Sequence, residues 1–82
     1  MNVRLHPHAV ERLVERGISE NEAIDTVLSG ETFPAKYGRT GFRRNFSFDG
    51  LWRGKEYSNK QVEVYAVEEN GWLILTAIAK YF

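Results

Sequence analysis

The last third of the chain, "QVEVYAVEENGWLILTAIAKYF", most constrains what it can fold into. Two runs rich in β-branched and aromatic residues flank Asn70-Gly71. An Asn-Gly pair between such runs is the strongest short-range hairpin signal, because both turn residues readily take positive φ. In the first run Val62, Val64 and Ala66 share one face, and Glu63, Tyr65 and Val67 share the other. The second run, Trp72 to Ala79, is apolar on both faces. That predicts a central, covered strand.

The N-terminal third has a different period. In "LHPHAVERLVERGIS", Pro7 suits the first helical position, where no N–H is required. His6 is then the N-cap, and His8 sits in the first turn. At roughly 100° per residue, Ala9, Val10, Leu13 and Val14 fall on one side, and His8, Glu11, Arg12, Glu15 and Arg16 on the other. Gly17 ends the helix, since a left-handed cap favours glycine. Ser19-Glu20-Asn21-Glu22 reads as a capping box. The second helix is expected to bury Ala23, Ile24, Val27 and Leu28 and to stop at Gly30. Beyond it, "ETFPAKY" is short and extended, with Pro34 suited to a sheet edge. "FRRNFSF" alternates, with Phe42, Arg44, Phe46 and Phe48 on one face and Arg43, Asn45 and Ser47 on the other. Asp49-Gly50 is a turn signal. The order α-α-β-β-β-β predicts an α+β fold, with two N-terminal helices packed on one face of a mainly antiparallel four-stranded sheet.

The 82 residues make one domain, 1–82, whose core is thin for its size. There is no cysteine, so there is neither a disulfide framework nor a thiolate zinc site. The opening "MNVRLHPHAV" lacks the apolar stretch of a secretory leader. No apolar run approaches the ~20 residues that span a bilayer. A cytoplasmic protein without membrane attachment is the expectation.

The net charge is zero but unevenly spread. Residues 1–31 carry −3 (Arg4, Arg12 and Arg16 against six acids), residues 32–60 carry +5 (seven bases against Asp49 and Glu56), and residues 61–82 carry −2 (Lys80 against three acids). In the middle segment Lys36, Arg39, Arg43, Arg44, Arg53 and Lys55 interleave with Tyr37, Phe42, Phe46, Phe48, Trp52 and Tyr57. Charge for phosphate and rings for stacking are what a nucleic-acid surface needs. Alternating strand residues, bases to water and rings to core, give the same pattern.

Three polar groupings carry candidate chemistry. The pair in "HPH" lacks a third or fourth zinc ligand, so no metal is expected. His8, Arg12 and Arg16 stack at spacings of four. Imidazole suits proton transfer near neutral pH, and guanidinium offers a fork for phosphate. Metal-independent RNA cleavage needs such parts: a base for the 2′-OH, a cation for the developing phosphorane and an acid for the leaving 5′-oxygen. The stripe equally suits a solvated face on which Glu11 and Glu15 pair the arginines. Lys80 follows an apolar strand and could add charge. A DNA-reading helix is disfavoured, because helix two offers Glu20, Asn21, Glu22, Asp25 and Thr26 without a base.

"HAVERLVERGISENEAIDTVLSGE" resembles the opening of a small, mostly bacterial family catalogued as a domain of unknown function. Its members begin with a His-Ala pair, an Arg four residues after the His, and then "ER-G-I-S". The apolar final strand with Thr76 near its end also fits. The family is similar to RelE-like toxins of the barnase–colicin–RelE ribonuclease group. The resemblance implies a RelE-like fold with a curved sheet and a cofactor-free endoribonuclease, with RNA as substrate and a cognate antitoxin or immunity protein as partner. His8, Arg12 and Arg16 match the family motif, and Lys80 is added by placement. Such toxins are usually strongly basic, whereas this chain is neutral. A non-catalytic protein-interaction or RNA-binding module is the alternative on the same fold.

Overall fold

A computed structural model describes residues 2–82. The elements run β1 (Val3–Leu5), α1 (Pro7–Glu15), α2 (Glu20–Ser29), β2 (Glu31–Pro34), β3 (Thr40–Trp52), β4 (Lys55–Glu68) and β5 (Trp72–Tyr81). They form a five-stranded sheet in the order β1-β5-β4-β3-β2. The expected mainly antiparallel four-stranded sheet with two N-terminal helices on one face is therefore corrected to a five-stranded mixed one. A strand precedes the helices and pairs in parallel with β5, Val3 opposite Trp72 and Leu5 opposite Ile74. The sheet is mixed, in a small α+β fold. Three residues are too few to show a strand period, and a parallel partner lies far away in sequence, so neither local pattern nor turn chemistry could reveal β1.

Local signals account for the helix ends. His6 caps α1, its Nδ1 accepting from the His8 amide at 3.1 Å, and Pro7 opens the helix. Ser19 Oγ accepts from the Glu22 amide at 3.0 Å while Glu22 Oε1 accepts from the Ser19 amide at 2.9 Å, a complete capping box. Helix α1 lies against β5, and α2 against β4 and β3. The core joins Ala9, Leu13, Ile18, Ala23 and Val27 to Phe42, Val62, Val64, Ala66, Ile74 and Ala77. Both helices are rotated from the expected wheel. Val14 is 76% and Leu28 51% exposed, whereas Thr26 is fully buried and Arg16 turns inward. Thr26 is tolerated there because its Oγ1 donates to the Glu22 carbonyl at 2.7 Å.

Two irregularities shape the sheet. Asp49-Gly50 is not the turn: β3 runs on to Trp52, and a register shift between Ser47 and Gly50 takes up Asp49, at φ 46°. The chain reverses instead at Arg53 and Gly54, both at positive φ (52° and 82°), which lets a two-residue hairpin follow the strand twist. The second shift pairs Tyr65 with Thr76 but Ala66 with Ile74, leaving Leu75 as the extra residue. An extra residue flips the side chains that follow it. Ile74 and Ala77 therefore both face the helices, and Thr76 turns to the other side.

The long β3–β4 hairpin folds its end back over the helices. Trp52 stacks on Tyr81 (centroids 4.8 Å apart, planes at 15°), and its ring lies where a side chain on Gly17 would be. Gly17 has φ 70°, so glycine there meets both the backbone and the packing demand. Beneath lies Lys60, 5% exposed, whose Nζ donates to the Gly17 carbonyl at 2.9 Å and to Glu22 Oε1 at 2.8 Å.

Candidate nucleic-acid interface on the helix-free face

Alternation along β3, β4 and β5 sends every second residue away from the core. The register aligns them in rows: Phe33, Gly41, Tyr65 and Thr76; then Glu31, Arg43, Glu63 and Ile78; then Asn45, Gln61 and Lys80. Glu63 stands at the centre. Its Oε2 lies 3.8 Å from Arg43 Nη1 and 3.6 Å from Lys80 Nζ, and its Oε1 accepts from the Tyr65 hydroxyl at 3.3 Å. Arg43 also pairs with Glu31 at 2.8 Å and lies 4.8 Å from the Phe33 ring centroid. Burial first, then the neighbouring Glu63 charge, push the Tyr65 hydroxyl above its ordinary value, against the opposing pull of Arg43. It keeps its proton at neutral pH and is a hydrogen-bond donor.

Next to this cluster is a cavity of about 420 Å³ lined by Phe33, Lys36, Tyr37, Arg39, Tyr65 and Thr76, among others. Its floor is aromatic, Phe33 meeting Tyr65 edge to face at 6.0 Å. The Tyr37 ring at the rim is 87% exposed. Among the described residues no carboxylate pairs with Lys36 or Arg39 at ion-pair distance.

The four catalytic candidates read from the sequence do not converge. His8 is exposed, its ring stacked on His6 at 5.2 Å. Arg12 is exposed and pairs with Glu15 at 3.7 Å. Arg16 leaves the stripe and clasps β5, donating to the Ala77 carbonyl at 2.6 Å and to Thr76 Oγ1 at 3.4 Å. Lys80 projects on the far face of the sheet, beside Glu63. The helix bearing His8 begins where His6 N–H donates to the Ile74 carbonyl. Six strand residues on, at ~3.3 Å each, Lys80 is about 20 Å away along β5.

The basic middle segment divides as well. Lys36 and Arg39 sit at the cavity, whereas Arg53 and Lys55 sit at the β3–β4 turn, over Trp52 and Tyr57. The intervening β3 spans ~40 Å if extended. Arg43 and Arg44 point to opposite faces, and Arg44 lies 3.9 Å from Asp25. Glu63, Tyr65 and Thr76 were not read as site residues. A signal for the first two existed: Glu63 and Tyr65 are two apart in an alternating run, so they share its polar face.

Among the described residues no helix is long and apolar enough to cross a membrane. Among the described residues no group of three or more His, Cys, Asp or Glu could hold a metal ion. Fold and site together define a small α+β domain with one sheet face packed and the other open. Residues 5–79 match the family described as "Domain of unknown function (DUF4258)", and the chain belongs to that family. Searches of curated proteins and of solved structures find no match.

Proposed function

We propose that the chain is an endoribonuclease that binds single-stranded RNA across the helix-free face and cleaves it without a metal. The carrying observation is the cluster of Glu63, Tyr65, Arg43 and Lys80 beside an aromatic-basic cavity. A base splayed from a single strand stacks on Tyr37 or Tyr65, with Lys36 and Arg39 meeting the flanking phosphates. Glu63 takes the 2′-OH proton, and the 2′-oxygen attacks the adjacent phosphorus. Arg43 and Lys80 stabilise the charge that develops on the phosphorane. Tyr65 gives its proton to the departing 5′-oxygen, leaving a 2′,3′-cyclic phosphate and a free 5′-OH. The resemblance to RelE-like toxins points to the same chemistry, and to a partner protein that holds the activity in check.

The test is incubation with total bacterial RNA in EDTA, beside Glu63→Gln, Tyr65→Phe and His8→Ala. The reading expects discrete fragments from the wild type and from His8→Ala, and intact RNA with Glu63→Gln. Cleavage lost in His8→Ala but kept in Glu63→Gln would return the chemistry to α1. Intact RNA with the wild type removes the catalytic reading. The exposed Tyr37 ring then favours RNA binding without cleavage, seen as a salt-dependent affinity.

A further inference from the structure

The second half of β5 has an unfilled edge. β1 pairs with β5 only from Trp72 to Ile74. Asn59 and Phe82 exchange both backbone hydrogen bonds, N–H to carbonyl at 2.8 and 3.0 Å. Bonded and non-bonded pairs alternate in an antiparallel ladder. With Lys60 opposite Tyr81, Val62 opposite Ala79 and Val64 opposite Ala77, those three β5 residues turn their N–H and C=O groups away from β4. Arg16 covers the Ala77 carbonyl, and Ala77 is fully buried. Ala79 and Tyr81 are only half-buried. Along them lies a groove of about 330 Å³ lined by Arg16, Trp52, Arg53, Ile78, Ala79 and Tyr81. Among the described residues no carboxylate pairs with Arg16 or Arg53 at ion-pair distance.

We propose that this groove receives an extended acidic segment of a partner protein, which adds as a strand to β5 at Ala79 and Tyr81 and sets a carboxylate between Arg16 and Arg53. Strand addition supplies main-chain hydrogen bonds to an unpaired edge, and side chains on either flank select the sequence. The two arginines select acid, and the Trp52 ring offers an apolar wall to an alternating apolar residue. Ala79 is small and adds no bulk of its own to the groove. The edge is distinct from the Glu63 cluster, so the inference holds whether or not the chain cleaves RNA.

The test uses a synthetic hexapeptide of alternating Glu and Val, a Gln–Val counterpart, a Lys–Val counterpart and a uridine hexanucleotide as probes of the intact chain. Amide exchange and chemical shifts are followed by NMR. The expected result is protection of the Ala79 and Tyr81 amides by the Glu–Val peptide, with at least tenfold weaker binding of the Gln–Val peptide. Arg53→Glu should lose the acidic peptide and gain the Lys–Val one. That swap reads the groove even if a backbone variant such as Ala79→Pro fails to fold. Absence of protection at Ala79 and Tyr81, equal binding of acidic and neutral peptides, or stronger protection by the hexanucleotide would each overturn the proposal.

Discussion

Lys60 and Glu63 stand three residues apart on β4 and point to opposite sides of the sheet, and each gathers charges and rings. Lys60 holds Gly17 and Glu22 at 2.8–2.9 Å, with the Phe48 and Tyr81 rings 5.5 and 5.9 Å away. Its carboxylate partner is itself fixed in the α2 capping box. Glu63 keeps its neighbours at 3.3–3.8 Å, and the side chains of Arg43 and Lys80 are 36% and 61% exposed. A charge closed in by short bonds between hairpin and helices serves the fold. Glu63 is itself buried, but its cations are exposed and held more loosely, so they can exchange it for a ligand. Residue types alone do not separate these roles, nor does burial of the central residue, since Lys60 is 5% and Glu63 6% exposed; contact length and the exposure of the partners do.

The largest effect is expected at Lys60. Lys60→Ala should cost about 3–5 kcal/mol in urea unfolding, because Glu22 and the Gly17 carbonyl lose their partner in a covered site. A loss under about 1 kcal/mol would show that the buried cluster does not hold the hairpin down. Glu63→Gln should do the reverse, lowering RNA cleavage by about 100-fold or more with little change in the unfolding midpoint. Equal losses of stability at both positions would make Glu63 a second structural ion.

Acid acts on the Lys60 cluster through Glu22. Burial by itself raises the Glu22 carboxyl, but the Lys60 hydrogen bond, the Ser19 amide and the ammonium charge together hold it below its ordinary 4.5. The unfolded chain therefore takes up this proton at higher pH than the folded one. Stability from Glu22 is full above about pH 4.5 and is lost as pH falls through the lower folded value. Denaturant titrations across that range should show the loss in the wild type, and Glu22→Gln should flatten it. Smaller effects separate the basic residues. Arg39→Ala should make the salt dependence of RNA affinity shallower by about one unit of slope, with Arg44→Ala as the unaffected control. Arg44→Ala should also change stability by less than about 0.5 kcal/mol, since its contact with Asp25 is exposed and 3.9 Å long.

Much of the fold was legible because its signals are local. The capping box at Ser19, Pro7 after the His6 cap, and the Asn70-Gly71 hairpin each rest on residues within a few positions of one another. The misreadings share the opposite character. β1 is defined by a partner about seventy residues away. Asp49-Gly50 has turn chemistry, but the ladder continues past it as a bulge. Lys60 gave no sign of burial, because Glu22, Gly17, Phe48 and Tyr81 meet it only when the hairpin closes. The candidate site was half legible. The sequence placed Glu63 and Tyr65 on one face, but Thr76 joined them only through the extra residue at Leu75.

By itself the sequence determined the helix boundaries, the final hairpin, and the alternation that separates a polar from an apolar sheet face, because capping, turn conformation and strand period act over a few residues. The tertiary structure alone decided three things. One was the parallel partner of β5. Another was which lysine is enclosed. The third was that His8 and Lys80 lie apart while Glu63, Tyr65, Arg43 and Lys80 meet. Strand register brings distant residues within bonding distance, and a single bulge changes the face a side chain takes.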